Sequence, residues 1–389
     1  MTDGSIKVEA TAEMNQDVPA RLEAAAMWSR EWLFDIALPL WWKFGADHLS
    51  GGFHDKLGLD ARPAILPKRV RVQTRQIFVF AEAARIGWSG PAADAIAHGL
   101  DFLPRYKRAD GLYRVSVDSD GSPVVDTYDL YDQAFVIFAL AAAYRALGRP
   151  LSLKNEALNL LESLDGLLKH PVCGYDEAKP RVLPLRSNPH MHLLEAVLAW
   201  VDAGERDVFL SHAEDLVGLA LKYLIDPETG AVGEFYSADW AFASGASGAS
   251  REPGHQFEWA YLLDLAGRHL GQDFSQASMR LEKFGSSHGI VNERAVFGLD
   301  ATGKVTDPSY RLWAQSEWLR TMLTLAPRIG QRAMIDALSA FESLRGFLDP
   351  APPGLWRERT ASDGSWIDEP SPASSLYHIM TGMVALIER

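Results

Sequence analysis

Apolar positions recur every three to four residues through twelve stretches of this chain, with polar positions between them. That period marks amphipathic helices. The stretches run over 19–43, 72–87, 91–106, 129–147, 151–168, 190–204, 206–224, 255–270, 273–287, 310–327, 330–347 and 371–387. Short and long connections alternate. Ser89-Gly90-Pro91 and Gly148-Arg149-Pro150 are tight breaks between one helix and the next. The long connections each carry a glycine followed by an aromatic or aliphatic residue: Gly52-Phe53, Gly111-Leu112-Tyr113, Gly174-Tyr175, Gly230-Ala231-Val232, Gly289-Ile290-Val291 and Gly354-Leu355-Trp356. The unit returns about every 60 residues, as one supersecondary motif repeated around a ring or along an array does.

Asp118-Ser119-Asp120-Gly121 and Asp300-Ala301-Thr302-Gly303 supply hairpin turns in these long connections. Six helix pairs with all long loops at one end predict an all-α fold, an (α/α)6 barrel of twelve helices with short β-hairpins in the long loops at one mouth. Six inner helices line a cavity in that fold, and six outer ones wrap them. A superhelical solenoid is the competing arrangement. The segments at 129–147, 190–204, 255–270 and 371–387 are rich in small or apolar residues, as inner helices require, yet their starts carry polar ones. Residues 1–17 are polar, lack an apolar signal core and read as a leader. Residues 18–389 read as one barrel domain.

With 47% hydrophobic residues, the 389-residue chain can bury a large core. It carries 38 basic against 51 acidic side chains, a net charge of −13 that disfavours nucleic acid or an anionic membrane as partner. No apolar run approaches the roughly 18 residues of a membrane span. The one cysteine, Cys173, cannot form an intramolecular disulfide, which fits a reducing cytoplasm as the expected location. Walker loops and a dinucleotide fingerprint with its acidic partner are absent, so no cofactor is expected. A monomer or homodimer is the expected state. The Gly/Ser/Ala-rich stretch from Ser244 to Ser250 reads as a mobile lid.

The candidate chemistry sits where long loops enter inner helices. His192, His255 and His378 occupy such positions in three different repeats, so a closed barrel brings them to one mouth. A histidine at a helix start is often only a cap or a satisfied surface group, and His54, His98, His170, His212, His269 and His288 take that reading. No metal site is expected: His255-x-x-Glu258 lacks the second histidine of a zincin helix, and His190-x-His192 points its rings to different faces. Arg75 lies among Val72, Ile77, Phe78 and Phe80 on a helix that reads as mostly buried.

The chain resembles the N-acylglucosamine 2-epimerase superfamily from about Ala20 onward. The resemblance rests on Val72-Gln73-Thr74-Arg75, Tyr131-Asp132-Gln133-Ala134-Phe135, Asn188 to Ala196, Pro253-Gly254-His255 with Glu258-Trp259, Arg311-Leu312-Trp313 with Glu317, and Tyr377-His378. It implies an (α/α)6 barrel and proton transfer beside a sugar carbonyl. It implies that His255 and His378 are the acid/base pair, that His192 opens the pyranose ring or holds a hydroxyl, and that Arg75 binds the oxygens of an enediolate. Glu258 then orients an imidazole or binds a hydroxyl, while Tyr131, Asn188, Trp313 and Glu317 shape a monosaccharide pocket. Arg186, Gln315 and Asp132 are weaker candidates. The stretches around His192 and His378 resemble mannose isomerases most, so the expected reaction is D-mannose to D-fructose. A 2-epimerase, a glycoside hydrolase on the same barrel and a non-catalytic binding scaffold are the alternatives.

Overall fold

The computed structural model describes the backbone of residues 3–349 and 352–389, and side chains from Asp17 onward within that range. Among the described residues there are twelve long helices. They are α1 (Asp3–Glu31), α2 (Val70–Arg85), α3 (Ala92–Phe102), α4 (Leu130–Ala146), α5 (Leu151–Leu168), α6 (Ser187–Asp202), α7 (Asp207–Leu219), α8 (Pro253–Leu270), α9 (Ser275–Gly289), α10 (Leu312–Ile329), α11 (Gln331–Phe347) and α12 (Leu376–Ile387). π-Helical turns at Trp32–Ala37 and Trp41–Gly45 carry the first helical segment on to Gly45. The side chains of residues 1–16, most of the expected leader, lie outside the described residues.

The two kinds of helix show in what each buries. Inner helix α4 buries Leu130 and every residue from Asp132 to Tyr144, because it is packed on all sides. Outer helix α5 buries only Ala157, Leu160, Leu161, Leu164 and Leu168, a single stripe at helical spacing. Each of those leucines contributes about 1.5–3 kcal/mol relative to exposure.

The inner helices α2, α4, α6, α8, α10 and α12 contact one another in turn, and α12 also contacts α2. The ring is sealed in the loops as well: strand β1 (Lys56–Leu57), in the first long loop, pairs antiparallel with Ser371–Pro372 in the last. The fold is therefore a closed (α/α)6 barrel and not a solenoid. That pairing also makes the last inner helix begin at Leu376, five residues after the expected start.

Both expected hairpins form: β3 (Ser116–Val117) pairs with β4 (Pro123–Val125) around Asp118–Gly121, and Arg294–Leu299 pairs with Val305–Tyr310 around Asp300–Gly303. Successive long loops also pair with each other: strand β2 (Lys68–Arg69) pairs with β3, and Leu185–Arg186 pairs with Phe235–Tyr236.

The glycine repeat has a physical cause. In each repeat, a polar side chain at or near the start of an inner helix grips the backbone of the strand-like stretch. The Gln73 amide accepts from Phe53 N–H at 2.7 Å and donates to Phe53 C=O at 2.9 Å. Gln133 grips Tyr113, Gln256 grips Val232 and Gln315 grips Ala295 in the same two-bond manner. His190 accepts from Tyr175 N–H, and Ser371 serves Trp356. The glycine leaves room for this grip: a Cβ on Gly52, at φ +70°, meets Gln73 Oε1 at 2.6 Å. Gln315 is thus a structural clamp, not a site residue.

The 244–250 stretch is exposed from Ser244 to Ser247. It forms a short helix, Gly245–Ala249, and the buried Arg251 donates to the carbonyls of Gly248 and Ser250. A Cβ on Gly248 lies 1.6 Å from Ala243 C=O, so the glycine permits a close backbone approach here.

Candidate active site

All six inner helices begin at the same mouth, so their first turns converge. α2 brings Arg75, α4 Tyr131, α6 Asn188 and His192, α8 His255 and Glu258, α10 Trp313 and α12 His378. These eight side chains line one cavity of about 270 Å³. Glu317 is placed differently from expectation: it is fully buried behind His378 and does not line the cavity. Asp132 and Arg186 are also elsewhere. Asp132 pairs with Arg71, and Arg186 pairs with Glu177 and Asp129. Of the histidines read as structural, His98 bonds Gly52 C=O, His170 Ala238 C=O and His212 Asp165, all away from the cavity.

The two candidate acid/base histidines both pack near Trp313, with ring centroids 5.0 Å (His255) and 5.8 Å (His378) from it. Their surroundings differ. His255 Nδ1–H donates to Glu234 at 2.7 Å, and Glu252 lies 3.8 Å from the same nitrogen. Burial opposes charge on this ring, but the two carboxylates outweigh it and push its pKa up to about 10. His378 Nδ1–H donates to Glu317 at 2.8 Å, but Glu317 is itself 2.7 Å from Arg320. Burial, then Arg75 and Arg320, hold His378 well below the usual histidine range. At neutral pH His255 is an imidazolium and His378 a neutral ring whose Nε2 is free to take a proton.

Asn188 responds to this. As placed, its Nδ2 donates to His255 Nε2 at 3.2 Å, which suits a neutral ring, while its Oδ1 is buried without a partner. Turning the amide over gives Oδ1 the Nε2–H of the imidazolium and satisfies both groups.

His192 Nδ1–H donates to Glu195 at 3.2 Å, and burial lowers its pKa to about 4. Glu258 lines the cavity, and both its carboxylate oxygens lack hydrogen bonds among the described residues. Burial, followed by Glu317 and Glu195, pushes its pKa well above the ordinary carboxylate value, against the opposing pull of Arg320 and His255. Arg75 is held over the Phe135 ring at 4.0 Å and donates to the Tyr131 hydroxyl. Its Nε is buried without a partner.

Sequence reasoning missed Glu234, Glu252, Phe297, Glu358 and the Ser374–Ser375 pair as parts of this site. It also missed metal-capable geometry: His192, Glu195 and Glu258 converge in space, as do Glu234, Glu252 and His255. The first set already holds a cation, since Arg320 lies 3.1 Å from Glu195 and 3.6 Å from Glu258. In the second, Glu234 is occupied by the His255 N–H.

A larger cavity of about 530 Å³ opens at the opposite mouth among the last turns of the inner helices. Arginines and acids in ion pairs, such as Arg85 with Glu388 and Arg145 with Glu82, dominate it. Among the described residues no histidine lines it, whereas His192, His255 and His378 line the smaller cavity.

Comparisons with known proteins agree with this geometry. The N-acylglucosamine 2-epimerase (GlcNAc 2-epimerase) family model matches residues 51–382. A mannose-6-phosphate isomerase from Rhizobium meliloti (strain 1021) is 37% identical over 366 residues, covering 91% of this chain and 95% of that protein. The fold is shared with cellobiose 2-epimerase from Bacillus thermoamylovorans B4167, at TM-score 0.85 and 19% identity over 94% of this chain and 100% of that one. It is shared too with a D-mannose isomerase, at TM-score 0.82 and 21% identity over 94% and 97%. The family and the sequence relatives are sugar epimerases or isomerases by name, which sets aside the scaffold and hydrolase alternatives, although glycoside hydrolases share the fold at TM-scores of 0.57–0.65. The chain belongs to the N-acylglucosamine 2-epimerase family and is an enzyme of sugar epimerisation or isomerisation.

Proposed function

We propose that the enzyme interconverts a free aldose and its ketose, D-mannose and D-fructose. One observation carries the reading: two histidines, one backed by the carboxylate of Glu234 and the other by a Glu317 already paired with Arg320, line a one-sugar cavity beside a buried guanidinium. His192, with Tyr131 near, holds or relays the ring-opening proton. In the open aldehyde, His378 Nε2 takes the C2 proton while the His255 imidazolium protonates O1, giving an enediol. The O2 proton then returns to His255, and His378 delivers its proton to C1, leaving a C2 ketone and both rings as they began. Arg75 stabilises negative charge developing on O1 and O2 without giving up its own proton. The cavity of about 270 Å³ is smaller than the roughly 300–1,000 Å³ of pockets for drug-sized ligands, which favours a monosaccharide over a disaccharide.

A 2-epimerase uses the same start but returns the proton to C2 on the other face, so the residues alone support either outcome. A 6-phosphorylated mannose is the second reading. The 37% relative bears that name, and Arg311 lines the cavity over the Phe297 ring at 4.1 Å, with no ion pair among the described residues. Against it, Arg69, Arg71 and Arg186 are each paired with carboxylates.

The test is incubation of the enzyme with mannose in heavy water, with products and deuterium position read by NMR. Fructose with label at C1 is expected. Glucose formed faster than fructose establishes the epimerase. Turnover of mannose 6-phosphate alone establishes the second reading.

A further inference from the structure

Beneath the cavity lies a buried ion network built on one guanidinium. Arg320, 4% exposed, donates through Nη1 to Glu195 at 3.1 Å, and its Nη2 lies 2.7 Å from Glu317. Its face rests on the Tyr261 ring at 4.1 Å, which fixes its plane. The other oxygens of the same two carboxylates serve the site. Glu195 accepts from His192 Nδ1–H and from the Tyr377 hydroxyl, and Glu317 accepts from His378 Nδ1–H. His255 has no such arrangement: the carboxylates of Glu234 and Glu252 stand behind it, and neither has an arginine at ion-pair distance among the described residues.

A bare carboxylate behind an imidazole favours the imidazolium, whereas a carboxylate already paired with a guanidinium does not. We propose that Arg320 is a positioning residue that makes His378 the resting base. It takes up the charge of Glu317 and Glu195, fixes the Nδ1–H tautomers of His378 and His192, and leaves Nε2 of His378 unprotonated toward the sugar. His378 is faced by Glu317 and Arg320 from α10, Arg75 from α2, Glu195 and His192 from α6, His255 from α8 and Tyr377 on its own helix. Arg75 remains when Arg320 is removed, so the shift is partial and not complete. The inference rests on the proposed proton-transfer chemistry, but the charge on His378 is measurable without turnover.

The experiment compares full-length wild type with Arg320→Gln by NMR of isotopically labelled histidine and by the pH dependence of kcat/KM. In Arg320→Gln the His378 ring is expected to titrate at least one pH unit higher than in wild type. The acid limb of kcat/KM moves to higher pH with it, so the loss relative to wild type reaches about tenfold or more on the acid side of the limb and closes toward pH 8. Arg320→Lys keeps a buried cation but cannot bridge both carboxylates in one plane. It is expected to shift ring and limb in the same direction by a smaller amount, and it decides the matter if the glutamine variant does not fold. A His378 ring that titrates as in wild type in the folded variants overturns the proposal, as does an equal fold-loss of rate at every pH. A folded wild type that turns over no sugar defeats the functional reading and leaves the NMR comparison standing.

Discussion

At the residue scale, two rings of one type do different work because different groups stand behind them. Glu234 is the residue that keeps His255 charged, so Glu234→Gln is expected to bring the alkaline limb of kcat/KM down from near pH 10 toward the ordinary histidine value. Activity at pH 8 then falls while activity at pH 6 is largely kept; an unchanged alkaline limb counts against the imidazolium acid. Stability follows the same linkage. The folded-state value of His255 lies above the unfolded 6.5, so its contribution is full below about pH 6.5 and fades as pH climbs through about 10. His255→Ala and His378→Ala are each expected to lower turnover by about 10²- to 10⁴-fold in steady-state assays. Arg75, His192, His255 and His378 were legible in the sequence because they recur at loop-to-helix junctions and sit in family motifs. Glu195 and Arg320 were legible in principle, each three residues after a marked residue and so on the same helical face. Glu234 carried no such signal, since 21 residues of loop and helix separate it from His255 and only the fold joins them.

At the element scale, the hydrophobic period located every long helix, but not where each begins. Tertiary pairing decides that, as when Ser371–Pro372 is taken by β1 and α12 is delayed to Leu376. The glycine repeat was legible; its cause was not, because the clamping glutamines lie about 20 residues downstream on another element. At Gly289 the gripped residue is Ala295 and not the one or two that follow the glycine, since a short β-turn pairing of Ile290–Val291 with Arg294–Ala295 intervenes. The clamp gives a direct prediction. Gln133→Leu leaves the buried Tyr113 N–H and C=O unpartnered, at about 1–3 kcal/mol for each orphaned group. A denaturant midpoint clearly below wild type with unchanged slope is expected. A change within about 0.5 kcal/mol, the usual range for a surface substitution, sinks the clamp as a stabilising device.

At the scale of the whole molecule, closure is what turns six similar units into one site. The side chains that line the cavity come from all six inner helices and meet only because α12 packs against both α10 and α2. A solenoid with the same helices keeps its repeats when the last is removed, since each touches only its neighbours. A closed barrel behaves otherwise. Ending the chain before Leu376 removes α12, strips buried partners such as Leu376, Ile379, Met380 and Met383 from the core, and exposes the flanks of both neighbours. It also leaves the charged Arg75 and Glu195 without Tyr377 between them and opens the buried ion network to water. We therefore propose that residues 18–389 unfold as one cooperative unit, and that this truncation abolishes the transition instead of trimming it. Calorimetry of the full chain is expected to give a single peak with matching calorimetric and van't Hoff enthalpies. A truncated chain that still melts cooperatively with most of its helical signal intact shows that the barrel is an array of separable repeats, and that the site is assembled by docking and not by closure of the fold.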